Sequence, residues 1–166
     1  MNPKKKAQPI KSMKIVEDKN QKWFLIALIA ICFVFYGNTC YNDYCLDDAV
    51  VITENTSTQK GFAGIKEHVS QDMLFGYTHT KGRKAASAGW RPLSMITFSM
   101  EVGFFGPGHP GISHFINVLL FAAIVVLLYL FLENHLLKNN WVAFFTALLF
   151  AIHPIHTEVV ANIKSR

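Results

Sequence analysis

Charged residues are scarce in this sequence. Asp, Glu, Lys and Arg make up 16% of its 166 residues, against about a quarter in an ordinary soluble domain, and the shortfall argues against a single water-soluble core. Six prolines and 10 glycines are too few for a collagen-like or low-complexity chain. The three cysteines do not form the two spaced pairs of a structural metal framework, and no 34-residue periodicity announces a helical repeat. What is abundant is apolar: 51% of the residues are hydrophobic and 13% aromatic, with 14 Phe, and the mean hydropathy is positive. That composition excludes a disordered chain and a coiled coil and leaves an all-α membrane protein.

The net charge of +5 does not point to a nucleic acid. Lys4, Lys5, Lys6, Lys11, Lys14, Lys19 and Lys22, seven of the 16 Lys and Arg, precede the first apolar run. Basic residues in that place are a topology signal that holds the N-terminus in the cytoplasm. A cleaved signal peptide fits less well, because the basic region is long and no small-x-small site follows the apolar stretch.

Three transmembrane helices are expected, at 23–41, 112–132 and 141–158. At ~1.5 Å per residue the second covers roughly 30 Å of hydrocarbon, while the first needs its polar extension through Gly37, Asn38 and Thr39. The third apolar run, Trp141 to Ile152, becomes a span only by continuing through His153-Pro154, a step that neighbouring helices can satisfy at membrane depth. The remainder divides into a basic cytoplasmic tail (1–22), an extracytoplasmic loop (42–111), a cytoplasmic turn (133–140) and the start of a second outer loop (159–166). The location implied is a multi-pass protein of a bacterial inner membrane or the endoplasmic reticulum, with lipid as its surroundings.

The outer loop carries six basic and seven acidic residues, near neutrality and without a charge block for nucleic acid. Phe62, Ile65, Val69 and Met73 recur at helical spacing, which predicts an interfacial amphipathic helix over 61–75. A polar break follows at 76–89. A second interfacial helix runs from Arg91 to Phe105, with Pro92 in its first turn and Gly106-Pro107-Gly108 closing it. Cys40 and Cys45 have two readings, a small disulfide in an oxidising compartment or two unpaired thiols. Asn55-Thr56-Ser57 has the form of a glycosylation sequon, without meaning in a bacterial host.

Four groups carry chemistry. Asp47-Asp48 follows the exit of the first span, where partial desolvation can tune a carboxylate for proton abstraction; the competing reading is a helix cap or a solvated turn. Trp90-Arg91 sets a cation beside an indole at an interfacial helix start, suited to a lipid phosphate because guanidinium pairs bidentately with its oxygens, or simply snorkelling to headgroups. His153, His156 and Glu158 lie close in sequence but lack the second-helix partner of a zinc protease, so no metal is assigned. His114 and Asn117 share a face near the outer end of the second span, where polar groups turn toward protein or a cavity. The expected topology puts the acidic pair and the His153 cluster on the same side, where they can share one site.

The order of these elements resembles a known family. Leu46-Asp47-Asp48 with Glu54-Asn55, Trp90-Arg91-Pro92-Leu93-Ser94 with Thr97-Phe98, Ser113-His114-Phe115-Ile116-Asn117, and His153-Pro154-Ile155-His156-Thr157-Glu158 with Val160-Ala161 and Arg166 are similar to the membrane half of the transmembrane and tetratricopeptide-repeat O-mannosyltransferases and their bacterial relatives. The likeness runs from Leu46 to Arg166. It implies the N-terminal part of a GT-C-type fold and transfer of a hexose from a polyprenyl-phosphate-linked sugar to a Ser or Thr hydroxyl of an acceptor protein, outside the cytoplasm. It implies Asp47 as the base, with Asp48 orienting it or holding acceptor or a divalent cation. Arg91 with Trp90 would meet the phosphate, and His114, Asn117, His153, His156 and Glu158 would line the cavity rim. The family has more spans and then helical repeats, so this chain reads as an N-terminal fragment, inactive by itself. The alternative is a non-catalytic membrane scaffold or transporter piece whose outer loop binds a partner.

The topology yields a direct expectation. A cysteine placed at Ser87 should react with a membrane-impermeant thiol reagent added outside intact cells, and reaction only after permeabilisation would reverse the orientation.

Overall fold

The computed structural model describes residues 20–79 and 89–166. Most of the basic tail, and the larger part of the 76–89 polar break with Ser87, lie outside them. Helix α1 (Gln21–Tyr36) leads to the short helices α2 (Leu46–Asp48), α3 (Thr56–Gln59), α4 (Ile65–Ser70) and α5 (Phe75–Thr78), and then to the longer α6 (Pro92–Phe105), α7 (Pro110–Phe131) and α8 (Asn140–Ala151), with α9 (His156–Ala161) last. No strand occurs among the described residues.

Helices α1, α7 and α8 form a bundle. α1 buries Phe24, Leu28, Cys32 and Tyr36, one residue every fourth position and hence a single face. α8 meets it with Ala143, Ala147 and Ala151, all fully buried, small side chains that let backbones approach closely. α7 contributes Val118, Phe121, Ala122, Val125 and Tyr129. The opposite faces are also apolar, yet exposed: Val34, Leu127, Phe131, Phe145 and Leu149 cover the outside. Helices hydrophobic all round belong in lipid rather than water. Two stretches, Gln21–Tyr41 and Pro110–Leu137, are long and apolar enough to cross a membrane.

Contacts at the two ends of the bundle fix its polarity. At one end Gln21 Nε2 donates to Glu133 Oε2 at 2.9 Å, and the rings of Phe24 and Trp141 lie 4.9 Å apart. At the other, Tyr36 Oη donates to the Ala151 carbonyl at 2.9 Å. α1 and α8 therefore run parallel, with α7 antiparallel to both. The end of α1, the start of α7 and the end of α8 gather where the 42–111 loop folds.

Three expected elements differ in extent. The single helix over 141–158 is replaced by α8, a turn and α9. Pro154 has no N–H to continue the ladder, His153 Nδ1 instead accepts from the Ile155 N–H at 3.2 Å, and the freed Ala151 carbonyl is taken by Tyr36. The 12 residues of α8 rise about 18 Å, less than a bilayer core. The 133–140 turn is mostly helical, since a wider π-helical turn carries α7 on through Leu137. Reversal falls to Lys138, at φ 49°, and to Asn139, whose side-chain oxygen accepts from Trp141 N and Val142 N at 3.0 and 3.2 Å. The 61–75 helix is split into a 3₁₀ turn at Gly61–Gly64, α4 and α5, with Asp72 Oδ1 accepting from Leu74 N at 3.0 Å in the break. Its inward face is Gly61, Gly64 and His68, while Phe62 and Val69 point outward. Burial pushes the His68 imidazole below its ordinary pKa. α6 follows its sequence signals, with Pro92 at its first position and Gly106 at φ 83° after its end.

The loop has its own core of Val51, Ile52, Met73, Met95, Phe98 and Ile163. Asn55 is fully buried beside it. Its amide donates to the Val50 and Met73 carbonyls at 3.1 and 3.2 Å and its oxygen accepts from Thr58 N at 3.1 Å, so the folded sequon offers no nitrogen to a glycan.

Among the described glycines Gly64 marks the tightest approach, for a Cβ there would sit 1.8 Å from the Ser57 backbone oxygen. Gly64→Ala should destabilise the fold by roughly 1–3 kcal/mol, as overpacking does. Gly37→Ala, with nothing within 4 Å of the added carbon, should leave thermal unfolding in detergent unchanged.

Candidate functional site

The last residues bind the loop to the bundle. After α9 the chain makes a 3₁₀ turn, Ile163–Ser165, that plugs fully buried Ile163 into the loop core. Asn117 on α7 holds the approach to this turn, its Nδ2 donating to the carbonyls of Val160 and Asn162, both at 3.3 Å.

Arg166 completes the attachment, its side chain only 5% exposed. Nε donates to Asn117 Oδ1 at 2.7 Å, Nη2 to the Ser113 carbonyl at 2.8 Å, and Nη1 to Thr97 Oγ1 at 3.3 Å. Nη1 also pairs with Glu101 Oε1. The other Glu101 oxygen accepts from Ser113 Oγ at 2.7 Å, and the guanidinium carbon lies 4.6 Å from the Phe98 ring centre. Ser94, Thr97, Phe98 and Glu101 come from one face of α6 at spacings of three and four. Burial pulls the Arg166 guanidinium below its usual pKa, and the Glu101 carboxylate works against that change. Nearby Tyr44 is raised, first by burial and then by the charges of Glu101 and Asp48.

The same turn receives the acidic pair. Asp48 is fully buried; its Oδ2 accepts from Cys45 N and its Oδ1 from Lys164 N, each at 2.9 Å. The first of these bonds caps α2. Asp47, one residue earlier, is exposed instead. Its side chain is 59% exposed and its Oδ2 lies 2.6 Å from Lys164 Nζ. Adjacent carboxylates thus have separate tasks, one fixing the backbone and one presented to the surroundings.

The other sequence candidates scatter. Arg91 is exposed at the N-cap of α6, without an ion-pair partner among the described residues. Trp90 Nε1 donates to the Val69 carbonyl at 3.1 Å, tying the start of α6 to α4. His153 and Glu158 are exposed around the α8–α9 turn, and His156 lies tilted against Phe150 with ring centres 4.3 Å apart. No hydrogen bond or ion pair joins these three to Asp47 or Asp48 among the described residues, nor is there among those residues a group of three His, Cys, Asp or Glu that could hold a metal. His114 is fully buried, and neither ring nitrogen has a hydrogen-bond partner among the described residues. Cys40 and Cys45 are free thiols. Beside Arg166 and Asn117 a cavity of about 370 Å³ opens along α7 past Leu120, Ile124 and Leu127, with Val159 and Val160 on its other wall.

Sequence reasoning assigned no role to Glu101, Ser113, Lys164 or Arg166. Glu101 carried a usable signal, because it is the one charged residue of the 14-residue helix α6 and falls in register with Ser94 and Thr97.

No family model matches the chain, and no solved structure matches it. Among curated proteins, human protein O-mannosyl-transferase TMTC1 is 31% identical over 131 residues, 79% of this chain and 14% of that protein. Mouse protein O-mannosyl-transferase TMTC2 is 33% identical over 139 residues, 82% of this chain and 16% of that protein. Human protein O-mannosyl-transferase TMTC4 is 25% identical over 159 residues, 87% of this chain and 20% of that protein. The chain thus spans a small part of the length of the relatives it matches.

The Arg166 site makes Glu101 a sensitive position. Glu101→Leu should cost about 3–5 kcal/mol by leaving a buried guanidinium without its counter-charge, and Glu101→Gln, which keeps an acceptor, should cost less. Denaturant unfolding in detergent, followed by circular dichroism, measures both.

Proposed function

Because the chain belongs to the family of the protein O-mannosyl-transferases TMTC1, TMTC2 and TMTC4, we propose that it is the membrane part of a glycosyltransferase that moves a hexose from a polyprenyl phosphate to a Ser or Thr hydroxyl of an acceptor protein. The transfer takes place outside the cytoplasm, on the side of the 42–111 loop, with the basic tail inside. Catalysis belongs to the whole, longer protein. The observation that carries this reading is Asp47, an accessible carboxylate on a turn whose backbone is fixed by buried Asp48.

The acceptor oxygen attacks the anomeric carbon as the bond from that carbon to the phosphate oxygen breaks. The hydroxyl proton passes to Asp47, and the phosphate leaves with the bonding electron pair. Asp48 acts through the backbone by setting the direction in which Asp47 points. Arg91 meets the charge developing on the phosphate, since a fork of N–H donors matches its oxygens, and Trp90 anchors the helix start that carries it. The cavity along α7, apolar and parallel to a membrane-spanning helix, suits the hydrocarbon chain of the donor. Of the residues expected at its rim, Asn117 lines this cavity, whereas His153 and His156 line a separate recess with Leu149, Phe150 and Ile155.

In the full-length protein, Asp47→Asn keeps the shape and removes the base. Transfer from a polyprenyl-phosphate sugar to an acceptor peptide should fall by roughly 10² to 10⁴-fold, and unchanged turnover with normal insertion would sink the assignment. Arg91→Lys should weaken use of the donor, because a point charge does not replace a bidentate fork.

A further inference from the structure

We infer that Arg166 is a positioning residue for Asp47: its buried guanidinium is the peg that locks the Asn162–Arg166 segment, and that segment holds the acidic pair in place. The inference rests on the reading of Asp47 as the base. Lys164 supplies two contacts to the pair, its N–H to Asp48 at 2.9 Å and its Nζ to Asp47 at 2.6 Å. Lys164 stays in position because both ends of its short turn are fastened. Upstream, Asn117 grips the Val160 and Asn162 carbonyls. Downstream, Arg166 is held through its side chain by Asn117, Thr97, Glu101 and Ser113, and through its carbonyl by Ser94 Oγ at 2.7 Å.

Every nitrogen of this guanidinium is engaged within the protein, which separates its role from that of Arg91. A buried cation with four of its five N–H donors engaged holds protein; an exposed one is available to a ligand. Asn117 takes part in both fastenings, so α7 is the frame against which the turn is set. The charged and titratable groups around Asp47 in sequence are Asp43, Tyr44, Cys45, Asp48 and Glu54, and Lys164 touches it from the segment packed against it. Lys164 alone among them is a cation, and its place depends on the peg.

The ion pair at 2.6 Å permits a direct test in the full-length protein. A water-soluble carbodiimide activates a carboxylate, which a touching amine then attacks to form an amide without a spacer. Wild-type protein should give a Lys164–Asp47 cross-linked peptide by mass spectrometry. Arg166→Lys and Glu101→Gln, which preserve much of the packing, should lower its yield several-fold while each protein still inserts to normal levels. In the same preparations kcat should fall roughly 10- to 100-fold, the scale of an ångström-level misplacement, with KM for the donor near that of the wild type. An undiminished cross-link in both variants would overturn the inference. So would a lost cross-link with kcat unchanged while Asp47→Asn is inactive. A lost cross-link together with full activity in Asp47→Asn would instead refute the catalytic reading of Asp47 and leave the peg's hold on the pair established.

Discussion

A guanidinium withdrawn from water needs an acceptor for its N–H groups and a negative charge close by, and few places in a small helical protein provide both. At Arg166 the requirement is met by a carboxylate and a hydroxyl from α6, a carbonyl and an amide from α7, and the face of Phe98. Satisfying it brings together stretches of chain that no apolar pattern would have joined. The loop core closes because Ile163 is carried in with the arginine, and the acidic pair acquires its surroundings because Lys164 lies between the two.

The bundle supplies the other half of the construction. Its alanine stripe and aromatic contacts set α1, α7 and α8 in a fixed order, and the Tyr36 hydroxyl finishes a helix that Pro154 interrupts. Three chain ends are thereby delivered to one end of the bundle, where a polar site can be assembled at the edge of an apolar slab. Polar groups there are costly unless paired, which accounts for how completely Arg166, Glu101, Asn117 and Asp48 are engaged.

Much of this was legible in the sequence, for physical reasons that vary by element. Long apolar runs marked α1 and α7 because nothing but lipid or a core suits them, and Pro92 and Gly106 bounded α6 because each dictates a backbone conformation. The 61–75 segment was harder. Helical spacing of Phe62, Ile65, Val69 and Met73 gives a face but not which way it turns, and here Gly61 and Gly64 pack inward while Phe62 and Val69 look out and Met73 alone joins the loop core. His153-Pro154 was readable as a tolerated proline, yet the break holds because a tyrosine more than a hundred residues away takes the freed carbonyl. In the candidate site, Asp47-Asp48 was visible as a pair, and the division of labour within it was not: successive helical side chains diverge by about 100°, so neighbours in sequence face different surroundings. Glu101 escaped notice because a single carboxylate in an apolar helix gains meaning only from a partner 65 residues later.

That separation also governs the order of events during synthesis. Glu101 leaves the ribosome 65 residues before Arg166, an interval of about 3 to 13 s at ordinary elongation rates, and α7 and α8 are made in between. Throughout it Arg166 is not yet there to pair with the carboxylate and the loop core lacks Ile163, so neither can be completed before the helices that follow are made. Closure of the 42–111 loop is therefore a late event in biogenesis, one that reports on whether the bundle beside it has been built.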